Sequence, residues 1–214
     1  MRVFVVGANG QIGRHLVKML KESDQHDVRA MVRKEEQADE FKADGIEAVV
    51  ADLEGAVSDI AAAADGCDAI VFTAGSGGST GLDKTLLIDL DGAVKTMEAA
   101  EEAGIARFVM ISAIQANNRE NWSEKIRPYF AAKHYADREL MNSSLTYTII
   151  RPGGLLNEPG TGKVKAEANL ERDSIPREDV AATIMAALDE EATYNKGFDL
   201  VSGDDTPSEA LSKL

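Results

Sequence analysis

The chain has 214 residues, with 37 acidic side chains against 23 basic ones, a formal net charge of −14, and 44% hydrophobic residues. That length suits one sizeable core. The charge repels nucleic acid and anionic membrane surfaces at long range, so neither is expected as a partner.

The apolar run at residues 2–6 has no basic segment ahead of it and stops at Gly7, so it reads as a first strand rather than a leader. Residues 12–21 place Ile12, Leu16, Val17, Met19 and Leu20 at helical spacing. Strand and helix signals then alternate: strand 28–32, polar helix 35–43, strand 46–51 ending at Asp52, alanine-rich helix 58–64, strand 68–74. A glycine and serine cluster fills 75–81, and a long helix is expected over about 83–103. Strand 107–112, a polar loop around Asn117, Asn118 and Asn121, helix 126–142 and strand 145–150 follow, the last closed by Arg151-Pro152-Gly153. Residues 155–173 break the pattern and read as a loop with a short β-ribbon at 163–168. Helix 177–188, strand 197–201 and a short helix near Pro207 complete the chain.

Parallel strands need crossovers, and here the crossovers are helices. Runs such as residues 69–72 and 108–111 are apolar without interruption, as strands covered on both faces are. The expected fold is α/β, a doubly wound parallel sheet (Rossmann fold). It forms a single domain over residues 1–214, with 155–175 as a loop and ribbon on the substrate side. No stretch approaches the roughly 18 apolar residues that span a bilayer. The lone Cys67 builds no disulfide framework and suits a reducing compartment, so a cytoplasmic protein is expected. His15, His26 and His134 are scattered without ligand spacing, and no metal is expected.

The strongest motif is Gly7-Ala8-Asn9-Gly10-Gln11-Ile12-Gly13, directly after a strand and opening a helix. Gly7 permits the turn out of the strand, Gly10 lets backbone approach a pyrophosphate, and Gly13 allows helix to pack closely on sheet. The helix start then offers free N–H groups to phosphate. A dinucleotide cofactor is expected there. Sites that take NAD(H) place an acid at the end of the second strand; this chain has Arg33-Lys34, and a guanidinium suits a 2′-phosphate. NADP(H) is therefore preferred over NAD(H), the alternative for Arg33-Lys34 being a solvated basic pair.

Tyr129 and Lys133 stand four apart on the helix after strand five, on one face. A nearby ammonium is expected to lower a phenol's pKa and fit it for proton transfer; the alternative is a packing tyrosine and a surface lysine. Ser112 closes strand five, where its hydroxyl could bond a substrate oxygen.

The glycines at i, i+3 and i+6 together with the order Ser112, Tyr129-Phe130-Ala131-Ala132-Lys133 resemble the short-chain dehydrogenase/reductase superfamily. The likeness is to its atypical, NAD(P)H-binding branch, whose members are described as epimerase/dehydratase-like, NmrA-like or flavin-reductase-like. The resemblance implies Ser112, Tyr129 and Lys133 as catalytic residues. It implies cofactor contacts from Gly7, Asn9, Gly10, Gln11, Ile12, Gly13 and Arg33. Asp52-Leu53 would lie at the adenine, Thr73-Ala74-Gly75-Ser76 beside ribose and pyrophosphate, and Pro152-Gly153-Gly154-Leu155 past the nicotinamide, with Ser112, Tyr129 and Lys133 completing the set. Asp89 departs from the relatives' asparagine. The implied function is NADP(H)-dependent oxidoreduction of a small carbonyl or alcohol by a monomer or homodimer. The alternatives are an epimerase or dehydratase and a non-catalytic redox sensor. About 60 residues follow Arg151, which is short for a nucleotide-sugar pocket.

Overall fold

The computed structural model describes residues 1–78 and 80–214. In chain order it runs β1 (Arg2–Val6), α1 (Gln11–Lys21), β2 (Asp27–Val32), α2 (Glu35–Ala43), β3 (Glu47–Val50), α3 (Val57–Ala64) and β4 (Ala69–Phe72). Next come α4 (Leu82–Lys84), a π-helical segment (Thr85–Asp91), α5 (Gly92–Glu102), β5 (Arg107–Ile111), α6 (Arg127–Asn142) and β6 (Thr146–Pro152). The last third holds β7 (Gly154–Leu156), β8 (Val164–Glu167), β9 (Ser174–Pro176), α7 (Arg177–Asp189), β10 (Lys196–Ser202) and α8 (Pro207–Leu211).

Eight strands form one sheet in the order β3-β2-β1-β4-β5-β6-β10-β8, parallel except for β8, which runs antiparallel to β10. The order reverses between β1 and β4, the switch point at which open α/β sheets bind ligands. Successive side chains of a strand face opposite ways. Val3 and Val5 of β1, Val71 of β4 and Val109 of β5 join α1 and α7 in one core; Phe4 and Val6, Phe72, and Phe108 and Met110 join α3, α5 and α6 in the other. That alternation is what the uninterrupted apolar runs encode.

Two expectations are corrected. Residues 163–168 do not form a ribbon within the loop: β8 crosses to the far edge of the main sheet and pairs with β10, and the short two-stranded sheet is β7 with β9, in parallel. An alternating pattern reports a strand with one covered face but not its partner. The long helix is not uniform either. Backbone angles stay helical through Lys84, Thr85, Asp91 and Gly92, yet the turns across residues 85–91 are widened to π geometry. Such bulges recur at functional sites.

Buried polar contacts tie the loops to this frame. Asp137 of α6 accepts from Arg151 Nε of β6 at 2.8 Å, with both side chains almost fully buried. Asp199 of β10 accepts from the backbone N–H groups of Gln115 (3.1 Å) and Leu170 (3.0 Å), fastening two loops at the carboxyl end of the sheet. Asp179, in the first turn of α7, accepts from Thr161 N, Thr161 Oγ1 and Gly162 N.

The β1–α1 junction tolerates no side chain. A Cβ on Gly13 would stand 2.3 Å from the Gly7 carbonyl oxygen and 2.8 Å from that of Ala8. Both are backbone atoms and cannot rotate away. We expect Gly13→Ala to cost about 2 kcal/mol or more, read as a lowered urea midpoint with an unchanged slope.

Candidate functional site

A cavity of about 330 Å³ opens at the switch point. Gly7, Asn9 and Gly10 form its floor, and Arg33 and Gln37 stand at the end of β2 and the start of α2. Asp52 and Leu53 follow β3, and Ala74, Gly75 and Ser76 follow β4. Gly7 takes φ +84°, a left-handed conformation that side chains resist, and its missing Cβ would stand 2.6 Å from Ala74 N. Thr73 holds the two strand ends together, its Oγ1 donating to the Val6 carbonyl (3.0 Å). Gly10 caps α1 without any side-chain bond, which leaves the first N–H groups of an eleven-residue helix open toward the cavity. Asn9 Oδ1 accepts from Arg14, which also pairs with Glu40 and lies over Phe41, so the turn is braced from α2.

These features fit a dinucleotide: a cradle closed to any Cβ, an uncapped helix start, and an exposed guanidinium where a 2′-phosphate would lie. Gln11, exposed, opens α1, while Ile12 and Gly13 are buried behind the turn. Met31, Gln37, Thr80, Lys84 and Ile88 also line the cavity and were not singled out from sequence. Lys84 follows a loop whose path carries no periodic signal, and it pairs with Glu54 at 2.5 Å.

The second part of the site lies on the α6 side of β5. Phe108 and Met110 face that side, and one more alternation directs Ser112 the same way. Ser112 Oγ is buried and has no hydrogen-bond partner among the described residues. An unmet buried hydroxyl costs roughly 1–3 kcal/mol, which marks it as a group held for a ligand or a water. Lys133 is buried, donates from Nζ to the Ile111 carbonyl at 2.8 Å, and lies 5.9 Å from the Phe72 ring centre. Burial lowers its pKa against the opposing pull of Asp89 and Asp137.

Tyr129 behaves differently from the sequence-based expectation. Its phenol is pushed well above the usual range near 10, by burial first and then by the negative charges of Asp89 and Asp137. The phenol therefore keeps its proton at neutral pH.

Asp89 is the residue that sequence reasoning left open. It is buried on the π-helical segment, its Oδ2 accepts from Ser76 N at 3.0 Å, and its Oδ1 would be 3.1 Å from a Cβ on Gly75. The Gly75–Ser76 loop beside the cavity is thus bonded to the carboxylate that acts on Tyr129 and Lys133. Pro152 ends β6, its carbonyl accepting from Ile114 N (2.9 Å); Gly153 is buried, and Gly154 and Leu155 begin β7 in exposed positions.

The family described as NAD(P)H-binding matches residues 7–191. The chain belongs to that family. It is 63% identical, over the full length of both chains, to a Bacillus subtilis protein named an uncharacterized sugar epimerase, YhfK. Among solved structures it is similar to a Bacillus halodurans protein provisionally named an NAD-dependent epimerase/dehydratase, with 45% identity, full coverage of both chains and a TM-score of 0.93. It also resembles the oxidoreductase ylbE of Lactococcus lactis, with 34% identity, coverage of 100% of this chain and 96% of the other, and a TM-score of 0.92. These likenesses place the fold and the nicotinamide cofactor together. Among the described residues, no helix is long and apolar enough to cross a membrane.

The raised phenol has a direct signature. In an absorbance titration, one of the four tyrosines should stay un-ionised beyond the free-phenol range, and Tyr129→Phe should remove that component. The folded state holds this group neutral, while the unfolded phenol ionises near 10. Its contribution to stability is therefore whole below about pH 10 and declines as pH rises above it. A less steep alkaline loss of stability in Tyr129→Phe is the expected result.

Proposed function

We propose that this protein is an NADP(H)-dependent reductase of a small carbonyl compound, run in reverse as an alcohol dehydrogenase. The unmet Ser112 hydroxyl carries this reading: it closes β5, to which α6, the helix that bears Tyr129 and Lys133 one turn apart, is fastened by the bond from Lys133 Nζ to the Ile111 carbonyl. When bound, the nicotinamide supplies the hydride for the carbonyl carbon. Tyr129 Oη then gives its proton to the carbonyl oxygen as the C=O bond becomes C–O–H, and Ser112 Oγ donates a hydrogen bond to the same oxygen. Lys133 holds the helix against β5 and would supply a hydrogen-bond donor to the cofactor ribose when it is bound. Arg33, exposed at the end of β2, takes the 2′-phosphate, which is what favours NADP(H) over NAD(H).

The names of the two similar Bacillus proteins favour a second reading, an epimerase or dehydratase that keeps its cofactor. The architecture weighs against it. After Arg151, α7, β10, β8 and α8 all pack into the main sheet and its flanking layers, and only the loop around β7 and β9 is left to enclose a substrate. A sugar nucleotide needs more wall than that segment supplies. A sensor that binds cofactor without turnover is the third reading. The buried, unpaired Cys67 suits a reducing cytoplasmic interior.

Titration of the protein with NADPH and NADH, beside Arg33→Ala, tests the cofactor choice. NADPH should bind more tightly, and the variant should lose about tenfold of that preference or more. Equal affinities in the parent protein would sink the NADP(H) assignment. With a panel of small carbonyl compounds, Tyr129→Phe should lower kcat by about 10²–10⁴-fold. Tightly held cofactor with no net oxidation on any carbonyl would favour the epimerase reading instead.

A further inference from the structure

Aromatic rings and arginines interleave beside the catalytic tyrosine. Trp122 stacks on Phe130 with ring centres 6.4 Å apart, and Tyr129 meets Phe130 edge-on at 5.9 Å. Arg172 lies over the Phe130 ring at 4.8 Å, and Arg119 lies over Trp122 at 6.0 Å. The row is anchored from below, where Trp122 Nε1 donates to the Ala116 carbonyl at 3.1 Å.

Arg172 has three properties of an anion-binding side chain. It belongs to the loop between β8 and β9, and its Nη2 donates to the Asn121 carbonyl at 2.6 Å, so it bridges the two loops that stand over the carboxyl end of the sheet. Its remaining N–H groups are free: among the described residues no carboxylate comes within 4 Å of its guanidinium, although the chain holds 37 acids and Glu171 and Asp173 flank it in sequence. One face of the guanidinium is covered by Phe130, which removes water from that side and strengthens any charge pairing at its edge. Stacked and bridged, the fork is held in place before a ligand arrives, so little side-chain entropy is lost on pairing.

A net charge of −14 makes an anionic substrate dependent on such a local cation. Arg172 and the Tyr129 ring both contact Phe130, so an aromatic carbonyl compound is long enough to reach from one to the other.

We propose that Arg172 is the anion subsite of the substrate pocket, and that the substrate is a carbonyl compound with an apolar or aromatic body and a carboxylate. This rests on the carbonyl-reductase reading above and names its substrate class. The carboxylate pairs with the free edge of the guanidinium while the body lies against the part-exposed Tyr129 ring.

The test uses two probes of one skeleton, para-carboxybenzaldehyde and its methyl ester. Binding of each to the protein saturated with NADP+ is measured by calorimetry, for the parent protein, Arg172→Gln, Arg172→Lys and Arg119→Gln. Glutamine can still donate to the Asn121 carbonyl, so the loop bridge survives while the charge is lost. The parent protein should bind the acid about tenfold more tightly than the ester. Arg172→Gln should abolish that preference with NADPH affinity unchanged, Arg172→Lys should keep part of it, and Arg119→Gln should keep most of it. Equal binding of acid and ester, binding of neither, or a preference that persists in Arg172→Gln overturns the proposal. NADPH oxidation with the same probes separates the two readings. Tyr129-dependent turnover of both probes without a carboxylate preference removes the subsite and leaves the reductase. Carboxylate-dependent binding without turnover of either probe leaves the subsite and removes the reductase.

Discussion

The close approach of three backbone segments at the switch point governs the rest of this molecule. Gly7, in a left-handed conformation, lies against Ala74 at the end of β4, and Gly13 lies against the Gly7 and Ala8 carbonyls. No Cβ fits at either contact. The consequence is that the start of α1 is pressed into the gap between β1 and β4, with its N–H groups uncapped. A side chain at Gly7 or Gly13 would lift the helix and close the cavity from within. The apolar alternation of β1, β4 and β5 builds two cores that could support many ligands. It is the glycine contacts that commit this one to a diphosphate.

Charge is managed locally against an unfavourable global field. The chain carries −14, yet both ligands proposed for it are anionic. The structure answers with helix N–H groups and with exposed arginines that meet no carboxylate, Arg33 at the cofactor end and Arg172 and Arg119 at the other, Arg138 of α6 being unpaired as well. Most other arginines are paired or buried, as Arg2 and Arg29 are with Glu47, Arg14 with Glu40 and Arg151 with Asp137. Exposed pairs contribute little to stability, so leaving these arginines free costs the fold almost nothing.

What could be read from the sequence was whatever depends on local periodicity. The strand–helix alternation, the glycine turn, and the places of Arg33, Asp52 and Ser76 around one cavity follow from patterns within a few residues. The partner of β8 did not, since an alternating run says which face is buried and nothing about which strand lies beside it. Lys84 and Ile88 reach the cavity from beyond the glycine-rich stretch, where no periodicity places them. The arginine row was equally hidden: Arg119, Trp122, Phe130 and Arg172 come from segments up to 53 residues apart and meet only in the folded chain.

Asp89 shows how one substitution joins the two halves of the site. An asparagine there could also accept from Ser76 N, so the hydrogen bond alone does not explain an acid. The difference is the charge. A buried carboxylate raises the Tyr129 phenol and supports the ammonium of Lys133 against burial. An amide would leave the phenol easier to ionise, the state needed to take a proton from an alcohol. The acid biases the tyrosine toward holding one. The widened π turn brings this side chain inward at the one place where it meets both the loop beside the cofactor cavity and the helix that bears Tyr129. The same carboxylate thus fixes the loop and, after burial and together with Asp137, keeps the proton on Tyr129.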